Sequence, residues 1–240
     1  MRVVVSIGGS VLVPELDADR VVAYADVVER LAAEGTSLGI VVGGGAIARE
    51  YIGTARSLHA NEIELDGLGI AATRLNARLL IAALDGRAIP SPARDYETAG
   101  AALRRDDIAV MGGVTPGQTT DAVSAALAEY VGADLLVYAT SVPGVFSADP
   151  ETSADARRYE ELSAGELVDA IADVEMNAGA SAPVDLLAAK LIERSGMRTV
   201  VLDGTDPERI ERAIHTGEHD GTDVVPEGND DEPTYWTRHD

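Results

Sequence analysis

Short runs of consecutive apolar and β-branched residues punctuate the chain at Val3–Ile7, Ser37–Val42, Ile108–Met111, Leu135–Thr140 and Thr199–Leu202. Between them, at Ala18–Ala33, Leu68–Leu84, Ala122–Val131 and Pro183–Ser195, apolar residues recur with helical spacing or alanine dominates. Unbroken apolar runs of this length suit strands buried on both faces, and the stretches between them suit covering helices. The alternation predicts an α/β fold: a three-layer α/β/α sandwich with a largely parallel central sheet. Ligands of such sheets sit beyond the carboxyl ends of the strands, so the residues that follow each run carry the functional information.

Glycine follows nearly every run. The first leads into Gly8-Gly9-Ser10, the second into Gly43-Gly44-Gly45, the third into "MGGVTPGQTTDAVSAAL" from Met111, and the fourth into "TSVPGVFSADP" from Thr140. One such turn is weak evidence of a ligand site, whereas four on one sheet edge are strong. Elsewhere, Ser91–Arg94 reads as a surface turn. Ser163, with Glu166 three residues on, reads as a capping box that starts a helix. Residues 1–226 are expected to form one domain, followed by an acidic tail, 227–240, that holds the only tryptophan and is either mobile or docked on a neighbouring subunit.

Charge changes this picture in one respect. The 240 residues include 41 acidic and 19 basic side chains, for a net charge of −22, and Lys190 is the only lysine. A nucleic-acid binder would show a basic face, so that role is excluded. The regular apolar periodicity argues against an acidic disordered chain. A folded surface adapted to high salt fits better, because screening blunts repulsion among many carboxylates. The absence of cysteine excludes disulfides and thiolate metal sites. No apolar stretch suits a signal peptide or a membrane span, so a cytoplasmic protein without membrane partners is expected.

The loops suggest phosphate chemistry. Gly43-Gly44-Gly45 runs into a helical stretch, which would aim backbone N–H groups and a helix dipole at an anion, with Arg49 in reach for a bidentate contact. Gly112 and Gly113 leave the third strand, Pro116-Gly117 turns, and Thr119, Thr120 and Asp121 stand at a helix entrance. Asp121 reads equally as a helix cap or as a carboxylate that orients a cation beside a transferring phosphoryl group. Asp66 opens a long helix carrying Arg74 and Arg78; on the residues alone it reads as a cap, and the arginines as solvated charges. The histidines show no ligand spacing, and no protein metal site is expected.

Taken together, "IGGSVL", "VVGGGAIAREYIG", "DGLGIAATRLNARLL", "MGGVTPGQTTDAVSAALAEY", "ADLLVYATSVPGVFSADP" and "GTDVVP" resemble, in order, the archaeal UMP kinase branch of the amino acid kinase superfamily. The resemblance implies phosphoryl transfer from ATP, carried with Mg²⁺, to UMP. It implies ATP contacts from Gly9, Ser10, Gly45, Arg49, Thr140, Phe146 and Asp149. It implies UMP contacts from Gly44, Asp66, Val114, Thr115, Pro116, Gly117, Gln118, Thr119 and Thr120, which turns Asp66 from a cap into a ribose ligand. Asp121, with Arg49, would serve the transfer itself. A homohexamer, a trimer of dimers, is typical of the family.

The chain departs from the family at Pro143, often Asp there, and at Phe146, usually Tyr. It also lacks the lysine that bacterial relatives carry near the position of Ser6, as does the archaeal branch. Where other superfamily members place a second lysine it has Pro183 or Val184, while Lys190 reads as a helix-surface residue. Rival readings are another small-substrate kinase of the superfamily, such as acetylglutamate or isopentenyl phosphate kinase, and a nucleotide-binding storage or regulatory protein on the same fold. Against isopentenyl phosphate kinase, no histidine lies between Gly43 and Leu58.

Overall fold

The five apolar runs become five adjacent, parallel strands of one sheet. In the computed structural model, which describes residues 1–148, 150, 153, 155–175, 183–228, 233, 234 and 236, β1 (Arg2–Ile7), α1 (Gly9–Leu12), α2 (Ala18–Ala33), β2 (Ser37–Val42), α3 (Gly45–Ser57) and α4 (Glu62–Ala83) lead the chain. Then come α5 (Tyr96–Leu103), β3 (Ala109–Met111), α6 (Thr120–Val131), β4 (Leu135–Thr140), β5 (Glu161–Ser163) and α7 (Ala164–Glu175). The chain continues through α8 (Leu186–Ser195), β6 (Thr199–Asp203), α9 (Glu208–His215) and β7 (Thr222–Val225). The sheet order is β3-β2-β1-β4-β6-β7-β5. Strands β3, β2, β1, β4 and β6 are mutually parallel; among the described strands only the β6–β7 pairing is antiparallel.

Alternation along β1 divides the core into two layers. Val3, Val5 and Ile7 pack with Tyr24, Val28 and Leu31 of α2 and with Ile210 and Ile214 of α9. Val4 faces the other layer, with Val123 and Leu127 of α6 and Ile192 of α8. Ser6, where bacterial relatives were expected to carry lysine, shares the Val4 face and is buried.

Sequence and structure diverge at several places. The Ser91–Arg94 segment is not a free surface turn: Ala93 is buried, bridges to Met111 and donates to Val110 O at 2.8 Å, so it extends the sheet edge beside β3. Helix α4 starts six residues before the predicted Leu68, because Asn61 and Glu64 form a reciprocal capping box. The capping box at Ser163 and Glu166 is present, with bonds of 2.8 and 3.2 Å. Of the tail, Trp236 is docked on its own chain. The Arg198 guanidinium lies 4.8 Å from its ring centre, and the ring fills the space where Gly217 lacks a side chain. The rest of the tail, apart from 227, 228, 233 and 234, lies outside the described residues, as does Asp149.

Candidate active site

The carboxyl ends of β1, β2, β3 and β4 lie side by side, and the glycine turns leave them together. The ladders run one residue past the strands: Gly8 donates to Ala139 O and Gly43 to Ile7 O, each at 2.9 Å. Beyond them the first two turns touch backbone to backbone. A Cβ on Gly9 would lie 2.5 Å from Gly43 O, and one on Gly45 would lie 2.6 Å from Gly9 O. No side chain larger than hydrogen fits between them. Helices α1 and α3 start here, and their caps, Gly8 and Gly44, supply no side-chain acceptor. No side chain takes the first N–H groups of either helix; in α1 the Val11 N–H donates to Gly8 O at 2.9 Å, and the N–H groups ahead of it can meet an external anion. Arg49 stands exposed on α3, with no ion pair among the described residues.

One helix holds the two sides of this edge together. From α4, the buried Asn76 donates through Nδ2 to Gly43 O at 2.9 Å and Gly44 O at 3.1 Å. Thr73 Oγ1 accepts from Gly113 N at 2.7 Å and donates to Ile70 O. Asp66 Oδ2 accepts from Gly117 N at 2.7 Å. Asp66 is thus not a cap; Asn61 performs that role, and Asp66 fastens the turn of the Val114–Thr120 loop. Thr115, Pro116, Gln118 and Thr119 are exposed along this loop, and Gln118 N closes the turn on Thr115 O at 3.2 Å.

Thr119, not Asp121, caps α6, its Oγ1 accepting from Ala122 N at 3.2 Å. The same hydroxyl donates to Asp185 Oδ2, while Asp185 Oδ1 accepts from Ala188 N at 2.8 Å and caps α8. Two helix N-termini are thereby latched together, with Asp121 beside them. Burial, and then the negative charge of Asp185, push the Asp121 carboxyl up to about 7. The buried Tyr138 phenol donates to the Asp121 backbone carbonyl at 2.8 Å, and burial with the same two carboxylates raises its pKa well above the usual tyrosine value.

On the β4 side, Thr140 ends the strand with its hydroxyl bonded to Val142 N at 2.9 Å. The segment to Phe146 is pinned from below: Val145 donates to Thr222 Oγ1, Tyr159 to Val145 O and Ser147 to Arg157 O, each at 2.9 Å. Phe146 is half-buried and bridges to Arg158, while Pro143 is exposed. Lys190 pairs with Glu193 on the outer side of α8 at 3.0 Å, as expected of a surface lysine. Thr73, Asn76 and Asp185 escaped the sequence reading. The signal for the first two was polar residues at the core-facing positions 7 and 10 after Asp66.

A glycine-lined strand edge with two uncapped helix starts now has a family to be compared with. The amino acid kinase family model matches residues 1–203. The chain belongs to that family. Among its relatives it is similar to the uridylate kinase of Halobacterium salinarum, 72% identical over 236 residues covering 98% of each chain. It is also 68% identical over 227 residues to the uridylate kinase of Haloarcula marismortui, covering 95% of this chain and 100% of that one. The crystal structure of uridylate kinase from Archaeoglobus fulgidus superposes with a TM-score of 0.83 at 44% identity, covering 94% of this chain and 100% of that one.

Proposed function

We propose that the chain is a UMP kinase that moves the γ-phosphoryl group of MgATP to the phosphate of UMP, giving UDP and ADP. The observation that carries the reading is the pair of uncapped helix N-termini at Gly8–Gly9 and Gly44–Gly45, pressed against each other. They offer N–H donors to two phosphate groups at once, which is what an in-line transfer between two phosphates requires. The 72% identity to a uridylate kinase over nearly the whole chain points the same way.

In this reading Gly9, Ser10, Gly45 and Arg49 hold the ATP phosphates, Gly44 reaches UMP, and Thr140, Phe146 and Asp149 line the adenosine pocket. Asp66 takes the UMP ribose, and Val114 to Thr120 wrap its base and phosphate. Mg²⁺ arrives as part of the ATP substrate. Asp121, ionised once cationic charge enters beside it, orients the transfer. The acceptor oxygen of UMP is already largely ionised near pH 7, since phosphate monoesters have a second pKa near about 6, so no general base is needed. Backbone N–H groups and Arg49 supply the electrostatic stabilisation that a lysine would otherwise provide.

The protein works in the cytoplasm of a halophile, in pyrimidine nucleotide synthesis, as a homohexamer. The net charge of −22 supports the halophilic source. The exposed Tyr51, Leu58 and Ile63 on and beside α3 and α4 support subunit contacts. No helix among the described residues is long and apolar enough to cross a membrane. The test is ADP release at molar KCl with MgATP and, in turn, UMP, CMP, dTMP, N-acetylglutamate and isopentenyl phosphate. Turnover with UMP alone is expected; binding of UMP and ATP without turnover on any acceptor would replace this reading with a storage or regulatory protein.

A further inference from the structure

Trp236 is docked at the end of the sheet opposite the glycine turns, yet a continuous set of contacts joins it to the segment that follows β4. Arg198 directly precedes β6, which runs parallel to β4, and its guanidinium lies 4.8 Å from the Trp236 ring centre. The same guanidinium forks onto Asp223 of β7, with Nε 3.2 Å from Oδ1 and Nη2 on Oδ2. The two side chains are only 10% and 14% exposed. By keeping water from them, the indole strengthens both the ion pair and its own attraction to the cation. Pro233 and Thr234 add a second hold, walling a cavity of about 710 Å³ together with Met197 and Arg198.

Asp223 carries this hold into β7. Its N–H donates to Glu160 O at 2.9 Å. One residue earlier, the buried Thr222 hydroxyl accepts from Val145 N at 2.9 Å and donates to Tyr159 O at 2.6 Å. Before that, Gly221 O accepts from Arg158 Nη1 at 2.8 Å. Val145 and Arg158 are the neighbours of Phe146, the first along the chain and the second across a bridge. Residues 221–223 therefore hold both sides of the Phe146 turn, and the last of them also holds the cation under Trp236. Strand β7 is paired with β6 on one side and β5 on the other, and a close-packed interior passes a shift at one end to the next residue rather than absorbing it.

We propose that Trp236 is a positioning residue for the Phe146 segment, so that docking of the tail and occupancy of the adenosine pocket tighten each other. This rests on the reading of Phe146 as a wall of that pocket. The Val114–Thr120 loop is fastened to α4 and α8 instead, which leaves binding of UMP alone outside the linkage.

The test is a calorimetric titration of the full chain at molar KCl with a non-hydrolysable ATP analogue and Mg²⁺ and, separately, with UMP. Trp236→Ala is expected to weaken the analogue at least about threefold and to leave UMP affinity as in wild type. Trp236→Phe, which keeps a ring over Arg198, should restore most of the loss. By reciprocity the analogue, and not UMP, should lower acrylamide quenching of Trp236 in the wild type. Equal analogue affinity in wild type and Trp236→Ala, or quenching that the analogue leaves unchanged, would overturn the proposal. So would an equal loss for both nucleotides, which would assign the tail to general stability. If the wild type binds no analogue, the ATP reading fails by itself, and amide hydrogen exchange decides the linkage. Faster exchange of the Val145 and Tyr159 N–H groups in Trp236→Ala, but not in Trp236→Phe, would uphold it; unchanged exchange would overturn it.

Discussion

The Gly117 N–H donates to Asp66 Oδ2 at 2.7 Å, joining a turn after β3 to a side chain 51 residues earlier on α4. One carboxylate oxygen thus fastens the Val114–Thr120 loop, and in the proposed function the other takes the UMP ribose. Asp66→Ala is expected to raise the UMP KM by at least about tenfold, the scale of a lost hydrogen bond to a charged group. The ATP KM should change far less. Steady-state kinetics with each substrate varied would decide it, and equal effects on both would sink the ribose assignment.

Asp121 gives a pH signature. Its folded pKa, about 7, exceeds the ordinary carboxylate value, so between roughly pH 4 and 7 the native state holds a proton that the unfolded chain has lost. The ligand-free protein should therefore lose stability as pH rises through that window and level off above it. Asp121→Asn should remove this slope, stabilising the protein near pH 8 relative to wild type by on the order of 1–4 kcal/mol while lowering kcat at least about a hundredfold. Chemical denaturation from pH 4 to 8, with molar KCl throughout, reads the first effect.

Removing the Asp185 charge should make Asp121 easier to ionise. In Asp185→Asn the acidic limb of the pH–rate profile is expected to move to lower pH, and an amide oxygen can still cap α8. A merely lower rate with an unmoved limb would assign Asp185 to helix capping alone.

Gly9 faces Gly43 and Gly45 across a backbone-to-backbone contact with no flexible atom to yield. Gly9→Ala should cost about 1–3 kcal/mol or more in stability and weaken ATP binding by spreading the two loops. Thermal unfolding together with nucleotide titration checks both. Stability and affinity like those of wild type would mean that the loops are not locked together.

Trp236 packs over Gly217, which has a positive φ of 74°. Gly217→Ala should displace the indole and shift its emission to longer wavelength, a clean readout because the chain has no other tryptophan. Unchanged emission would mean that the ring is held by Arg198 alone.

The inner sheet was legible because its strands are unbroken apolar runs; Ser37–Val42 and Leu135–Thr140 appear with the predicted bounds. The edge was not. Strands β5 and β7 are three and four residues long, and each carries an acidic residue, Glu161 and Asp223, among few apolar ones. Helix α9 hides its buried Ile210, Ala213 and Ile214 among charges. At the site, glycine turns announce themselves by composition, whereas Thr73, Asn76 and Asp185 act through partners 40, 32–33 and 66 residues away. No local pattern encodes such pairings. Asp66 and Asp121 both sat close enough to a helix start to read as caps, and only the presence of better caps at Asn61 and Thr119 removes that reading.

Helix α4 is a crossbar that grips Gly43 and Gly44 through Asn76, Gly113 through Thr73, and Gly117 through Asp66. Whatever orders one loop also sets the position of the bar that the other must meet. Donor and acceptor should therefore bind with mutual synergy, each tightening the other by the same factor, as reciprocity of coupling free energies demands. Substituting Asn76 would uncouple the two affinities while leaving every direct nucleotide contact in place.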